Sequence, residues 1–140
     1  MPVPNTDRSR KLSDNFYLYE FDCRDGTPVP EHLVDSLAAF VLKNLQTLRE
    51  FFGAPITVTS GYRHEAYNKA IKGSQNSYHI YDAPGREGKF AVDFVVHGRD
   101  PQTVYTAIEG LIRLGLLDDG GLHAYDNFIH YDSGPRRRWR

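Results

Sequence analysis

Three separated segments carry the residues with the most chemistry in them: Ser77-Tyr78-His79, Phe90-Ala91-Val92-Asp93-Phe94 and Phe128-Ile129-His130-Tyr131-Asp132. Together they offer two imidazoles and a carboxylate. Three N/O ligands with one position left open is the donor set of a catalytic zinc, whereas a structural zinc is usually closed by four protein ligands, often thiolates. Cys23 is the lone cysteine, which excludes a thiolate-rich site. If the fold brings the three segments together, the chain offers a hydrolytic metal centre rather than a zinc finger.

Each residue taken alone has a plainer reading. Asp93 sits among Val92, Phe94, Val95 and Val96, where a carboxylate is costly without a partner. An arginine would serve as well as a metal. His79 reads equally as a loop histidine bonded to backbone, and His130, between Ile129 and Tyr131, is as ambiguous. Side chains alternate along a strand, so Asp126, His130 and Asp132 share a face if the last strand is regular.

The elements that must position these groups are read from pattern. The chain has 140 residues, enough for one domain with a real core. Hydrophobic residues make up 40% and charged residues 25%, and the net charge is −1, which gives no general pull toward nucleic acid or a membrane surface. Cys23 cannot form an internal disulfide, and no stretch approaches the ~20 apolar residues of a membrane span. Residues 1–13 are polar and read as a flexible segment without a secretory signal, so synthesis in the cytoplasm is expected; residues 14–140 form the domain, expected to be a monomer. Phe16, Tyr17, Leu18, Tyr19 and Phe21 form an aromatic plug.

Pro30 opens a helix whose Leu33, Leu37, Phe40, Val41, Leu45, Leu48 and Phe52 share a face, with Gly53 as its C-terminal cap. Ile56–Ser60 alternates as a strand, and a short helix runs from Glu65 to Ile71. Residues 74–79 are a polar loop, and 80–89 a protruding loop or hairpin. Phe90–Val96 is a strand. Asp100-Pro101 starts a helix reaching Leu116. Gly120-Gly121 is a turn between that helix and two short final strands. There is no internal repeat and no βαβ regularity, so the fold class is α+β, with a central antiparallel sheet flanked by helices.

Ser60-Gly61-Tyr62-Arg63, Asn68, Ser77-x-His79, Ala91-x-Asp93, Gly120-Gly121, Tyr125, Phe128-Ile129-His130-x-Asp132 and Arg138-Trp139 occur in that order. The set resembles the zinc D-Ala-D-Ala carboxypeptidase, or VanY-type, family of peptidoglycan peptidases, which includes many phage endolysins. The match runs from Phe16 to Trp139. The resemblance implies zinc (Zn2+, one per chain) held by His79, Asp93 and His130. It implies that Arg63 polarises the scissile carbonyl or grips a substrate carboxylate, a task suited to a guanidinium. Ser77 and Tyr125 are further candidates for substrate contact, with Ser77 alternatively supporting the loop.

The chain departs from that family's pattern twice. The common HxxGxAxD spacing is doubled here, so Asp82 to Lys89 must loop out. Such a loop would stand at the lip of the site and shape substrate choice. Asp82 is then a rival ligand, although Ala91-x-Asp93 keeps the local motif. Asn127 occupies the position of the usual general-base glutamate and cannot take a proton. Asp126 is its natural substitute, with His123 and Asp132 in reserve. His32, His64 and His97 read as surface histidines. The ending Arg136-Arg137-Arg138-Trp139-Arg140 reads as a solvated terminal strand with Trp139 tucked onto the core, in preference to a patch attracted to an anionic envelope.

The expected function is zinc-dependent hydrolysis of peptide bonds in peptidoglycan stem peptides, as a D,D-carboxypeptidase or endopeptidase. The expected setting is the cell wall, after release by lysis or on a phage particle. The alternatives are a catalytically inactive wall-binding module of the same fold and a phage structural accessory protein.

Overall fold

A computed structural model describes residues 7–139. Residues 1–6 of the expected flexible segment, and Arg140 of the basic ending, lie outside the described residues. Among the described residues, regular structure begins before residue 14. Strand β1 (Lys11–Ser13) pairs antiparallel with β2 (Phe16–Tyr17). The reason is a buried polar clamp. Gln46 accepts from Ser13 Oγ at 2.7 Å and Asn15 N at 3.1 Å, and donates to Asn15 Oδ1 at 2.8 Å.

The helical stretch predicted from Pro30 is continuous but not uniform. A 3-10 turn (Glu31–Leu33) leads into α1 (Val34–Phe40), a π turn (Val41–Leu45) and α2 (Gln46–Phe52). The apolar positions Leu37, Phe40, Val41, Leu45 and Leu48 are all buried. The π turn also buries Asn44, which donates to Phe40 O at 3.1 Å and accepts from Asp118 N at 3.0 Å and Tyr131 Oη at 3.1 Å. Gly53 ends α2 at φ +60°, a left-handed position glycine takes without strain.

Strand β3 (Ile56–Ser60), helix α3 (Glu65–Ala70), β4 (Ala91–Val96), α4 (Pro101–Arg113), β5 (Gly121–Ala124), β6 (Ile129–Asp132) and β7 (Arg137–Arg138) complete the fold. Asp100 caps α4 by accepting from Thr103 N at 2.8 Å, and Val104, Ile108 and Leu111 turn inward. The sheet order is β3-β4-β6-β5-β7. It is antiparallel except at its edge, where the two-residue β7 runs parallel to β5. The architecture is α+β, as the sequence pattern predicts. No described helix is long and apolar enough to cross a membrane.

Alternation divides the sheet into two faces. Val92, Phe94, Leu122, Ile129 and Tyr131 enter the core under the helices, where Phe40 stacks on Tyr131 at 5.9 Å. Asp93, His123, His130 and Asp132 therefore occupy the other face. β4 is buried along nearly its whole length, which explains its unbroken apolar run around Asp93.

Residues 80–89 do not protrude as a hairpin. They form successive turns, with Ile80, Tyr81 and Ala83 buried. Tyr81 packs edge-on to Phe90 at 4.9 Å and donates to Ala91 O at 2.9 Å. The apolar half of the loop is thus pulled into the core.

Candidate metal centre

Two elements set Asp93 and His130 face to face: they are register partners on β4 and β6. A register shift in β3 places Ser60 opposite Asp93 on the other side, a use of irregular pairing to re-aim a side chain. His79 arrives from the polar loop and is fastened at three points. Its carbonyl accepts from Arg63 N at 2.8 Å, its N–H donates to Ser77 Oγ at 3.1 Å, and its Nδ1 lies 2.7 Å from Gly61 O. Gly61 itself is pressed on the Phe21 backbone, where a Cβ would meet Phe21 Cα at 2.8 Å.

A carbonyl only accepts, so the Gly61 bond protonates His79 Nδ1 and leaves Nε2 with a free lone pair. That atom is buried and has no hydrogen-bond partner among the described residues. It lies 3.2 Å from Asp93 Oδ1, which satisfies distance but not hydrogen-bond direction. His130 Nδ1 is 2.9 Å from the same oxygen, and its Nε2 is 2.7 Å from Asp132 Oδ2. One ligand atom each from His79, Asp93 and His130 falls within 4.8 Å of the other two. A buried lone pair without a partner is rare. Two imidazoles, each with its other nitrogen held by an acceptor, and one carboxylate make a donor set that fits a divalent cation.

Charge agrees with this. Burial dominates His79 and holds its pKa below the usual value. Burial pushes His130 down as well, but its bonds to Asp132 and Asp93 outweigh that and raise it. Burial would raise Asp93, yet its bond to the His130 imidazole holds its carboxyl well below the ordinary range. Asp132 is likewise opposed by burial and held down at about 2 by His130 and Arg137. Asp132 Oδ1 also accepts from Gly121 N at 3.0 Å and Gly134 N at 2.9 Å. Arg63 stands at the other end, with Nη2 3.5 Å from Asp93 Oδ2 and hydrogen bonds to Ser60 Oγ and Asn68 Oδ1, both 3.3 Å.

The sequence profile of the peptidase M15 family matches residues 15–132. The chain belongs to the peptidase M15 family. It is also 35% identical over 122 residues to the probable peptidoglycan L,D-endopeptidase MepK of Haemophilus influenzae, a match covering 84% of this chain. The chain spans 60% of that relative's length. No solved structure matches it.

In this M15 chain the three candidate ligands open into a cleft of about 470 Å³. Arg63, Ser77, Tyr78, Tyr125, Phe128, Arg137 and Trp139 line it. Tyr125 stacks on Phe128 at 4.6 Å and accepts from Trp139 Nε1 at 3.3 Å. Ser77 is nearly buried and serves the His79 backbone.

Several expectations change. Asp126 does not share the strand face of His130, because β6 begins only at Ile129; it is exposed in the β5–β6 connection and does not line the cleft. His123 is on the cleft face but does not reach the cleft: Trp139 stacks over its ring at 5.1 Å, and Nδ1 bonds to Trp139 O. Asp132 is locked behind His130 and is not a free base. Asp82 is exposed and accepts from Tyr62 Oη at 3.2 Å, away from the two histidines. The 82–89 insertion lines no part of the cleft. Arg86 instead bonds to Asn76 O and lies over the Tyr78 ring at 5.4 Å, bracing the loop that does.

His64 is more than a surface residue. Its Nδ1 accepts from Tyr67 N at 3.2 Å, capping α3, so Nε2 carries the proton toward Asp25 Oδ2 at 2.6 Å. Cys23, Asp25 and His64 also cluster, but that tautomer leaves the imidazole no lone pair for an ion. The basic ending is neutralised on the surface: Arg136 pairs with Asp119, and Arg138 with Glu109 and Asp119. Arg137 is the exception. Sequence reasoning passed over it because nothing local marks one arginine of a run as turned inward; only its parity with Trp139 hinted at a shared face.

Proposed function

We propose that this M15 peptidase hydrolyses peptide bonds in peptidoglycan stem peptides and that zinc is its cofactor, held by His79, Asp93 and His130. The observation that carries this is the partnerless, buried Nε2 of His79 beside Asp93 Oδ1 and His130 Nδ1. The resemblance to a probable peptidoglycan L,D-endopeptidase supports the substrate class.

A zinc ion in such a site supplies Lewis acidity, acidifying water and polarising a carbonyl. The chain's own residues do the rest. Gly61 O and Asp132 hold the two imidazoles in the tautomers that present Nε2 of His79 and Nδ1 of His130. Arg63, anchored by Asp93, Ser60 and Asn68, is poised to donate to the carbonyl oxygen as negative charge grows there. The aromatic walls Tyr125, Phe128 and Trp139 line the peptide's path and limit water. Asp126 lies between two cleft-lining residues, Tyr125 and Phe128, and no hydrogen bond recorded among the described residues holds its side chain. Because it stands outside the cleft lining, the β5–β6 connection must turn inward on substrate binding for Asp126 to take a proton from the attacking water and return it to the leaving amine.

The test is release of new amino groups from purified peptidoglycan by zinc-loaded protein, with and without a chelator, followed by mass spectrometry of the muropeptides. Chelator-sensitive release supports the reading, and the fragment masses name the bond cut. Binding to the wall without release would favour the inactive wall-binding module instead, a reading motivated by Asn127 and by the exposed position of Asp126.

A further inference from the structure

The cleft contains a second guanidinium that the chemistry above does not use. Arg137 lines it beside Tyr78 and Trp139, with 39% of its side chain exposed. Its placement is built on several sides. Nη2 bonds to Asp132 Oδ2, Nε donates to Pro135 O at 3.3 Å, and the guanidinium lies over the rings of Tyr78 at 4.7 Å and Trp139 at 5.5 Å. Nη1 makes no hydrogen bond to any described residue, so its two donors are spare while the group as a whole is held still. The contacts run Arg63, Asp93, His130, Asp132, Arg137, and the two arginines stand at opposite ends of that line.

The charge balance of the cleft points to the ligand. Two arginines and two aspartates line it, and those four cancel. A divalent cation in the site leaves the cleft positive, which favours an anionic ligand. Arg63, anchored by three partners beside Asp93, is committed to the reacting carbonyl. Arg137 offers the uncommitted N–H groups of Nη1, which suit one charge-assisted bond to a carboxylate oxygen.

We infer that Arg137 is a specificity-determining residue that binds a free carboxylate of the substrate, so that the enzyme selects peptides carrying an unamidated carboxyl group near the scissile bond. This inference rests on the proposed peptidase function. The aromatic rings around Arg137 limit hydration of the pair, and the pre-set orientation lowers the entropy lost on binding. A charge-assisted bond of this kind is worth roughly tenfold or more in affinity.

The experiment uses a synthetic peptidoglycan stem pentapeptide and forms of it with one carboxyl at a time amidated. Turnover by zinc-loaded wild-type, Arg137→Gln and Arg137→Lys proteins is compared, and binding to chelator-treated protein is followed by calorimetry. At one carboxyl position the wild type should prefer the free acid roughly tenfold or more, mainly through KM and in binding. Arg137→Gln should bring that ratio near one, and Arg137→Lys should keep part of it, having the charge without the contacts to Asp132 and Pro135 that orient Nη1.

A purely structural role through Asp132 would lower turnover of acid and amide alike and leave the ratio untouched. That outcome, or a wild type indifferent to amidation at every position, overturns the inference while the peptidase reading stands. A wild type that neither cleaves nor binds any of these peptides, and releases no amino groups from peptidoglycan, overturns both.

Discussion

Asp93 and His130 are paired residues of adjacent antiparallel strands, and the backbone ladder between β4 and β6 holds Asp93 Oδ1 2.9 Å from His130 Nδ1. Two of the three candidate ligands are thus spaced by sheet register, while His79 is added from a loop tied to Gly61 and Arg63. Metal analysis of purified protein should find one zinc per chain. His79→Ala and Asp93→Ala should each abolish stoichiometric zinc with the fold retained by circular dichroism.

Asp132→Asn should weaken zinc binding by about 10–100-fold, the usual effect of losing the acceptor behind a ligating histidine. The asparagine oxygen can still accept from the Gly121 and Gly134 N–H groups, so the turn should survive. Competition with a chromophoric chelator measures the change.

Arg63→Lys should lower kcat by about 10²–10³-fold, the scale of losing one donor to a developing oxyanion. A lysine keeps the charge but cannot span Asp93, Ser60 and Asn68 together. Zinc content should be unchanged, and steady-state kinetics on muropeptides separates the two effects.

Gly61→Ala should destabilise the protein by about 1–3 kcal/mol, because the new Cβ meets Phe21 backbone that cannot swing aside. Urea unfolding should show a lower midpoint. Zinc affinity should fall as well, since the Gly61 carbonyl orients His79.

Acid should loosen the edge of the sheet. Burial would raise the Asp119 carboxyl, but Arg138, Arg136 and Gly120 N–H hold it down at about 2. A depressed folded pKa contributes stability that is complete above the unfolded value of ~3.9 and is lost as pH falls from there toward 2. Asp119→Asn should flatten the stability profile across that interval in urea melts recorded pH by pH. The effect should be small, since the pair is partly exposed.

Much of the frame was legible in the chain. The apolar stripe from Leu33 to Leu48, the Asp100 cap and the alternation of β3 are local signals, and each sits where its pattern indicates. His79, Asp93 and His130 could be singled out through motif resemblance, although their convergence depends on a register no local pattern encodes. Asp126 was misplaced because strand parity was carried across a turn, where alternation has no meaning. His123 was misread because the residue that covers it, Trp139, returns from the end of the chain through β7. Arg137 was invisible because its partner, Asp132, belongs to another strand.

The π turn at Val41–Leu45 amounts to one residue spliced into a helix. Deleting Leu42 would restore ordinary winding and leave Leu45 and Leu48 on the core face, because the π turn absorbs its extra residue locally. It would, however, withdraw Asn44 from Tyr131, the immediate neighbour of His130. A one-codon excision far from the cleft would therefore be felt at the imidazole.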